Sequence, residues 1–297
     1  MQVFVTGAQG MLGQDLVPVL KAAGDVVIPS GMQPSEEADF VQLDITDLEA
    51  TKRVIAAARP DVVINCAAYT NVDGAEADPD SAYRVNALGT WNLALACQEV
   101  GAAMLLVSTD YVFDGTKGSA YDEYDTPNPQ SVYGRSKYAG EQHLQQMLNR
   151  FYIVRTAWLY GHHGKNFVET ILKAAAERAE LQVVNDQWGC PTWTKDLAEA
   201  INQIIRTGRY GIYHATGEGA CTWMDFARKI VELGGRTTPV LPQTTEELNR
   251  PAPRPRYSVM RNQAIELAGM APLPAWEESL EHYMANRPMR PMMPINS

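Results

Sequence analysis

From Gln2 to about Thr156, short apolar runs alternate with longer stretches of helical character: Val3-Phe4-Val5, Val26-Val27-Ile28, Phe40-Val41-Gln42-Leu43, Val62-Val63-Ile64-Asn65, Met104-Leu105-Leu106-Val107 and Tyr152-Ile153-Val154. Strands this apolar have no polar face to give to water, and helix-length connections can cover both of their faces. The pattern therefore predicts a doubly wound parallel α/β sheet. After Met11, the residues Leu12, Leu16, Val19 and Leu20 recur on one face of a predicted helix, and Ala75 to Val100 is long enough for a helix crossing the domain. Beyond Tyr160 the alternation loosens. Leu181-Gln182-Val183-Val184 and Gly211-Ile212-Tyr213-His214 read as strands, Trp193 to Ile205 and Thr222 to Leu233 as helices, the second closed by Gly234-Gly235. Pro251-Ala252-Pro253-Arg254-Pro255 interrupts regular structure before a last helical region from Trp276 to Met284, and the tail Arg287 to Pro294 is expected to fray.

Two parts are expected: residues 1–156 mainly a nucleotide-binding domain, and residues 157–297 mainly a smaller C-terminal α/β substrate lobe whose chain can return to the first part. Ligands of this architecture lie at the carboxyl ends of the strands, and the lobe is expected to close over that edge. Asp and Glu total 35 against 25 Lys and Arg, a formal net charge of -10, which argues against nucleic acid as a partner. With 45% hydrophobic and 20% charged residues the chain has the balance of a folded protein. The N-terminus enters a strand directly, without a charged region and apolar stretch of the secretory kind, and no long apolar span follows; no membrane association and a reducing, cytoplasmic setting are expected. Cys66, Cys97, Cys190 and Cys221 form no CxxC pair, and the first two, inside apolar runs, read as buried small hydrophobes.

The first apolar run leads into Gly7-Ala8-Gln9-Gly10-Met11-Leu12-Gly13, glycines spaced GxxGxxG between a strand and a helix. Such a Rossmann-type turn presents backbone N–H groups to a pyrophosphate. The acid that usually meets the adenine-side ribose is absent, since Ser30-Gly31 follows Val26-Val27-Ile28-Pro29, and no basic cluster stands beside it; NADH and NADPH both remain candidates. Asp44 and Ile45 follow the third strand, where they could meet adenine, although Asp44 could equally cap a helix beginning near Asp47. Asn65-Cys66-Ala67-Ala68-Tyr69 ends the fourth strand in small residues, either to let the nicotinamide-side ribose pass or for close strand-helix packing.

Tyr133 and Lys137, four residues apart, share a helix face. A tyrosine has an intrinsic pKa near 10, and a neighbouring ammonium that stabilises phenolate lets it exchange a proton at lower pH. Lys137 can supply that charge and also bond a cofactor ribose. Ser108-Thr109-Asp110 ends the fifth strand, where Thr109 could donate to the substrate oxygen while Tyr133 protonates it. Hydride transfer of this kind needs no metal. No GxSxG elbow supports a serine hydrolase, and His162-His163 have no further ligand at a metal-binding spacing.

Together these motifs resemble the extended short-chain dehydrogenase/reductases, and within them the dTDP-4-dehydrorhamnose reductase family. The resemblance is carried also by Asn65 to Asp73 and by Ser108-Thr109-Asp110-Tyr111-Val112-Phe113-Asp114-Gly115, and it spans nearly the whole chain. It implies reduction of the C4 ketone of dTDP-4-dehydro-β-L-rhamnose, a dTDP-linked 4-keto-6-deoxy sugar, with Tyr133 as proton donor, Lys137 tuning it and holding ribose, and Thr109 bonding the carbonyl. The resemblance further implies a cofactor site of Gly7, Gln9, Gly10, Met11, Leu12, Gly13, Asp44, Ile45, Ala67, Ala68, Tyr69 and Ser108. On the sugar side it implies Asp110, Trp158 and Asn166, with Trp188 and Pro191 in a nucleotide-sugar element; Trp158 could instead be a packing residue. Some members form a metal-assisted dimer through acidic residues, so Mg2+ and either a monomer or a homodimer are open, and Glu277, Glu278 and Glu281 do not map onto that contact. The rivals are a related nucleotide-sugar epimerase, whose usual pattern has a small hydroxyl residue where Asp110 stands, and a non-catalytic regulatory subunit on the same scaffold.

Overall fold

The computed structural model describes residues 1–287. The expectation of a frayed tail, apart from Arg287 itself, lies outside the described residues. The first half of the chain supplies β1 (Gln2–Thr6), α1 (Met11–Ala22), β2 (Val26–Gly31), β3 (Val41–Gln42), α2 (Leu48–Ala58), β4 (Val62–Asn65), α3 (Val72–Ala77), α4 (Pro79–Tyr83), α5 (Gly89–Val100), β5 (Ala103–Thr109), α6 (Val132–Met147) and β6 (Phe151–Thr156). The second half adds β7 (Leu159–Tyr160), α7 (Phe167–Glu177), β8 (Leu181–Val184), β9 (Trp188–Gly189), β10 (Thr192–Trp193), α8 (Thr194–Ile204), β11 (Gly211–His214), β12 (Cys221–Thr222), α9 (Trp223–Leu233), β13 (Val240–Gln243), α10 (Thr245–Leu248), α11 (Gln263–Leu267) and α12 (Trp276–Ala285).

Seven parallel strands form one sheet in the order β11-β6-β5-β4-β1-β2-β3. Its interior strands are apolar on both faces: Val3, Phe4, Val5, Val63, Ile64, Met104 and Leu105 are almost wholly inaccessible, which is why they read as continuous runs. The order reverses between β1 and β4, and the crevice beyond their carboxyl ends is where such sheets bind ligands. The Thr6 hydroxyl donates to Asn65 Oδ1 across this point at 2.7 Å.

The helix expected over Ala75 to Val100 is instead broken. Asp78, outside the helical region at φ -135 and ψ 74 ahead of Pro79, ends α3 and caps α4 by accepting from Ser81 N. The residue before a proline is driven out of the helical region, and this local rule overrides the long helical pattern. A single π-helical turn, Arg84–Leu88, then joins α4 to α5. Its Asn86 accepts from Tyr69 N at 2.8 Å and donates to the Tyr69 carbonyl and the Ser136 hydroxyl, tying the end of β4 to α6.

Two cores result. One joins the sheet and α1 to α8 and β11, through Leu16, Leu20, Leu197, Ile201, Ile204 and Tyr213. The other belongs to the lobe and is built from Tyr160, Ile171, Phe226, Ile230, Leu280 and Tyr283 with their neighbours. Among the described residues the lobe's strands pair as two-stranded ribbons, β7 with β10, β9 with β12 and β8 with β13. Among the described residues, no helix is long and apolar enough to cross a membrane.

Candidate functional site

At the nucleotide end, Gly7 has φ +66 and a Cβ there would stand 2.7 Å from Ala67 N; one at Gly13 would stand 2.6 Å from Ala8 Cα. Only glycine lets β1, α1 and the end of β4 close this tightly. Gly10 precedes α1 without a side-chain cap, and no acidic residue occupies the first turn, so the first N–H groups of a twelve-residue helix remain available to an anion. The tight turn and its open donors fit the pyrophosphate of a dinucleotide.

At the end of β2, Ser30 is fully buried with its hydroxyl unpartnered, and no Lys or Arg lies between Lys21 and Lys52. Asp44 is exposed and does not cap α2; it accepts from Thr46 N and Oγ1 in a local turn, while Asp47 itself makes the cap. The Ile45 side chain is buried in the core beneath α5, and its carbonyl accepts from Asn92. Asn65 Oδ1 also accepts from Ala67 N, shaping the bend that leaves Ala67, Ala68 and Tyr69 half-buried at the crevice.

At the chemical end, Ser131 caps α6 by accepting from Gly134 N at 3.1 Å, which starts the helix so that Tyr133, Lys137 and Glu141 share one face. Lys137 is 4% exposed and donates to the Val107 carbonyl at 2.7 Å. Burial pulls its ammonium down to about 8 against the opposing pull of Glu141. Burial pushes the Tyr133 phenol up to about 12, its hydrogen bond with Thr109 working the other way. The Tyr111 ring meets Tyr133 edge-on at 5.4 Å. Asp110 is buried, accepts from Thr109 Oγ1 at 3.1 Å and from Ser258 Oγ at 2.6 Å, and is pushed up to about 6 by desolvation. Ser108 donates its hydroxyl to Glu141, two turns along the same stripe of α6 from Tyr133.

The lobe side is built around aromatic contacts. Trp158 has φ +47, a conformation costing about 1–3 kcal/mol in a non-glycine residue, and it stacks on Trp223 with ring centroids 3.5 Å apart. Asn166 spends both ends of its amide locally, capping α7 through Glu169 N and donating to the Gly161 carbonyl. Trp188 is 42% exposed, with its backbone held by Arg256 and Ser258; Pro191 is buried against Gly217. Thr109, Asp110, Tyr133 and Lys137 are thus brought together, whereas Asn166 is committed to its own loop.

Sequence reading missed the strap from Pro251 to Met260. Arg254 makes a forked ion pair with Asp73 at 3.1 Å, with Arg250 3.5 Å from the same carboxylate. Ser258 reaches Asp110, and Tyr121 pairs with Met260 in a β-bridge. A cleft of about 210 Å3 opens beside the strap, lined by Gln187, Thr245, Arg250, Pro253 and Arg254 among others. The prolines gave only the signal of broken regular structure. Among the described residues, no group of three or more His, Cys, Asp or Glu is arranged to hold a metal ion.

Residues 1–288 match the profile of the RmlD substrate binding domain family. The chain belongs to this family. It is 44% identical to a dTDP-4-dehydrorhamnose reductase of Streptomyces griseus, over 93% of this chain and 90% of that protein. It is 40% identical to a dTDP-4-keto-6-deoxy-D-glucose reductase of Streptomyces niveus, over 93% and 94%. The crystal structure of a dTDP-4-dehydrorhamnose reductase from Bacillus anthracis in complex with NADP superposes with a TM-score of 0.91 at 42% identity, covering 96% of this chain and 99% of that one.

Proposed function

We infer that the protein is an NAD(P)H-dependent oxidoreductase that reduces the C4 ketone of dTDP-4-dehydro-β-L-rhamnose to dTDP-β-L-rhamnose. The observation that carries this reading is the meeting of Thr109, Tyr133 and Lys137 at the strand edge beside the glycine turn, in a chain so similar to such reductases over its full length.

Gly7, Gly10 and Gly13 with the first turn of α1 would hold the pyrophosphate, and Ala67, Ala68, Tyr69 and Lys137 the nicotinamide-side ribose. NADH or NADPH held there would supply the hydride for C4. Tyr133 gives its phenolic proton to the ketone oxygen, so that a C–H and an O–H bond replace the carbonyl π bond. Thr109 donates a hydrogen bond to the same oxygen and stabilises the charge developing there. Lys137, held by the Val107 carbonyl, offsets the cost of leaving Tyr133 as phenolate in a buried site. Asp110 and Trp158 would border the sugar, and Arg254 and Arg250 offer positive charge to the nucleoside diphosphate.

The similarity to the Streptomyces niveus reductase raises a second reading, in which the sugar is a 4-keto-6-deoxyglucose of different stereochemistry. The test is to follow NADH and NADPH oxidation with each freshly prepared ketosugar and identify the product. Stoichiometric dTDP-rhamnose is the expected outcome. Oxidation only with the glucose-series ketone would favour the second reading. Isomerisation without net cofactor loss would indicate an epimerase, and no turnover with either sugar would leave a regulatory role.

A further inference from the structure

Glu141 stands one turn beyond Lys137 on the stripe of α6 that begins at Tyr133, and its side chain is inaccessible to solvent. Two strands converge on its carboxylate. Ser108 of β5 donates to Oε1 at 2.6 Å, and Arg155 of β6 donates from Nε to Oε1 at 3.0 Å and from Nη2 to Oε2 at 2.7 Å. A buried ion pair of this kind is a poor source of stability, because removing two charges from water offsets most of their attraction. Its address is what gives it meaning: Ser108 directly follows Val107, whose carbonyl holds the Lys137 ammonium.

We propose that Glu141 is a positioning residue for the reaction: its carboxylate, fixed by Ser108 and Arg155, is the counter-charge that keeps Lys137 an ammonium within the catalytic face. The proposal rests on the role assigned to Lys137 above. The other groups around this cluster do not replace Glu141. Cys66, facing Lys137 from the end of β4, is a thiol pushed up to about 12 by burial and carries no charge near neutrality. Tyr133 lies one turn before Lys137 and is itself neutral in the resting state, with Asp110 beyond it. Arg155 lies over the Phe113 ring, 5.3 Å from its centroid, and His214 of β11 lies across that ring, held neutral by burial that lowers it to about 3.

The test compares the wild type with the double variant Glu141→Gln/Arg155→Met, which removes both buried charges and strands neither. Two profiles are measured against pH: kcat/KM, and NADH affinity followed by its fluorescence. The alkaline limb of both is expected to move to lower pH by about one unit or more, with turnover retained below the limb. An unmoved limb in a folded double variant would overturn the proposal and leave an ordinary core ion pair. Should the double variant not fold, Glu141→Gln alone, which removes the counter-charge and leaves that of Arg155, is expected to move the limb the same way, and an unmoved limb there overturns the proposal equally. Tyr133→Phe and Lys137→Met serve as controls. Full turnover in both would defeat the reading of the site itself, whereas their inactivity beside an unmoved limb defeats only the role of Glu141.

Discussion

Burial sets Tyr133 and Lys137 opposite problems: the phenol is driven up to about 12 and the ammonium down to about 8, so each resists the charged form that catalysis asks of it. Removing the hydroxyl with Tyr133→Phe is expected to lower kcat by about a hundred- to ten-thousandfold while NADH binding, read by fluorescence titration, stays near the wild-type value. Thr109→Val should cost less, about ten- to a hundredfold in kcat/KM, the worth of one hydrogen bond to a developing charge. Asp110 adds a dependence of stability on pH. Its folded pKa of about 6 lies above the ordinary 3.8, so folding favours the protonated form. The stability it contributes is full below the unfolded value and is lost as pH rises through about 6. Asp110→Asn is therefore expected to gain on the order of 1–3 kcal/mol over the wild type at about pH 7, the gain shrinking toward about pH 4. Urea midpoints at the two pH values check this, and a variant less stable at neutrality refutes it.

At the scale of elements, the strap from Pro251 to Met260 joins the two sides of the site, through Arg254 to Asp73 in the first turn of α3 and through Ser258 to Asp110 beyond β5. If Arg254 serves the nucleotide end of the substrate, Arg254→Ala should raise KM for the sugar nucleotide about tenfold, the worth of one exposed-to-half-buried charged contact, with kcat changed less. Steady-state kinetics with the ketosugar varied at saturating NADH separate the two effects. None of this strap could be read from the chain, because Ser258 and its partner Asp110 are 148 positions apart and share no local pattern. The strands of the sheet were legible for the opposite reason: burial on both faces writes itself directly into Val3-Phe4-Val5 and Met104-Leu105-Leu106. The glycine turn and the Tyr133, Lys137 pair were legible because their geometry is made within a few residues. Between these extremes lies the break at Asp78-Pro79, a local signal outweighed by the helical pattern around it. The π-turn carrying Asn86 depends on contacts with Tyr69 and Ser136, and had no signal of its own.

For the whole molecule, a ligand that binds only the folded chain must raise its apparent stability by mass action. NADH at about a hundred times its Kd should add about 2.7 kcal/mol, visible as a rise in the thermal midpoint, while nicotinamide alone, which lacks the pyrophosphate, should shift it little. The sheet itself is completed late. Its last strand, β11, pairs with β6 only after the chain has built β7, α7 and β10 in the lobe, and α8 returns to cover α1 on the way. A fragment ending at residue 156 would therefore not be a free-standing domain. It would leave the outer side of β6 with unpaired backbone groups and the Leu16, Leu20 side of α1 bare, and such an edge invites other chains to add to it. Expressed alone, that half should be recovered as aggregate, and co-expression with the remaining segment should restore it to solution by supplying its missing border.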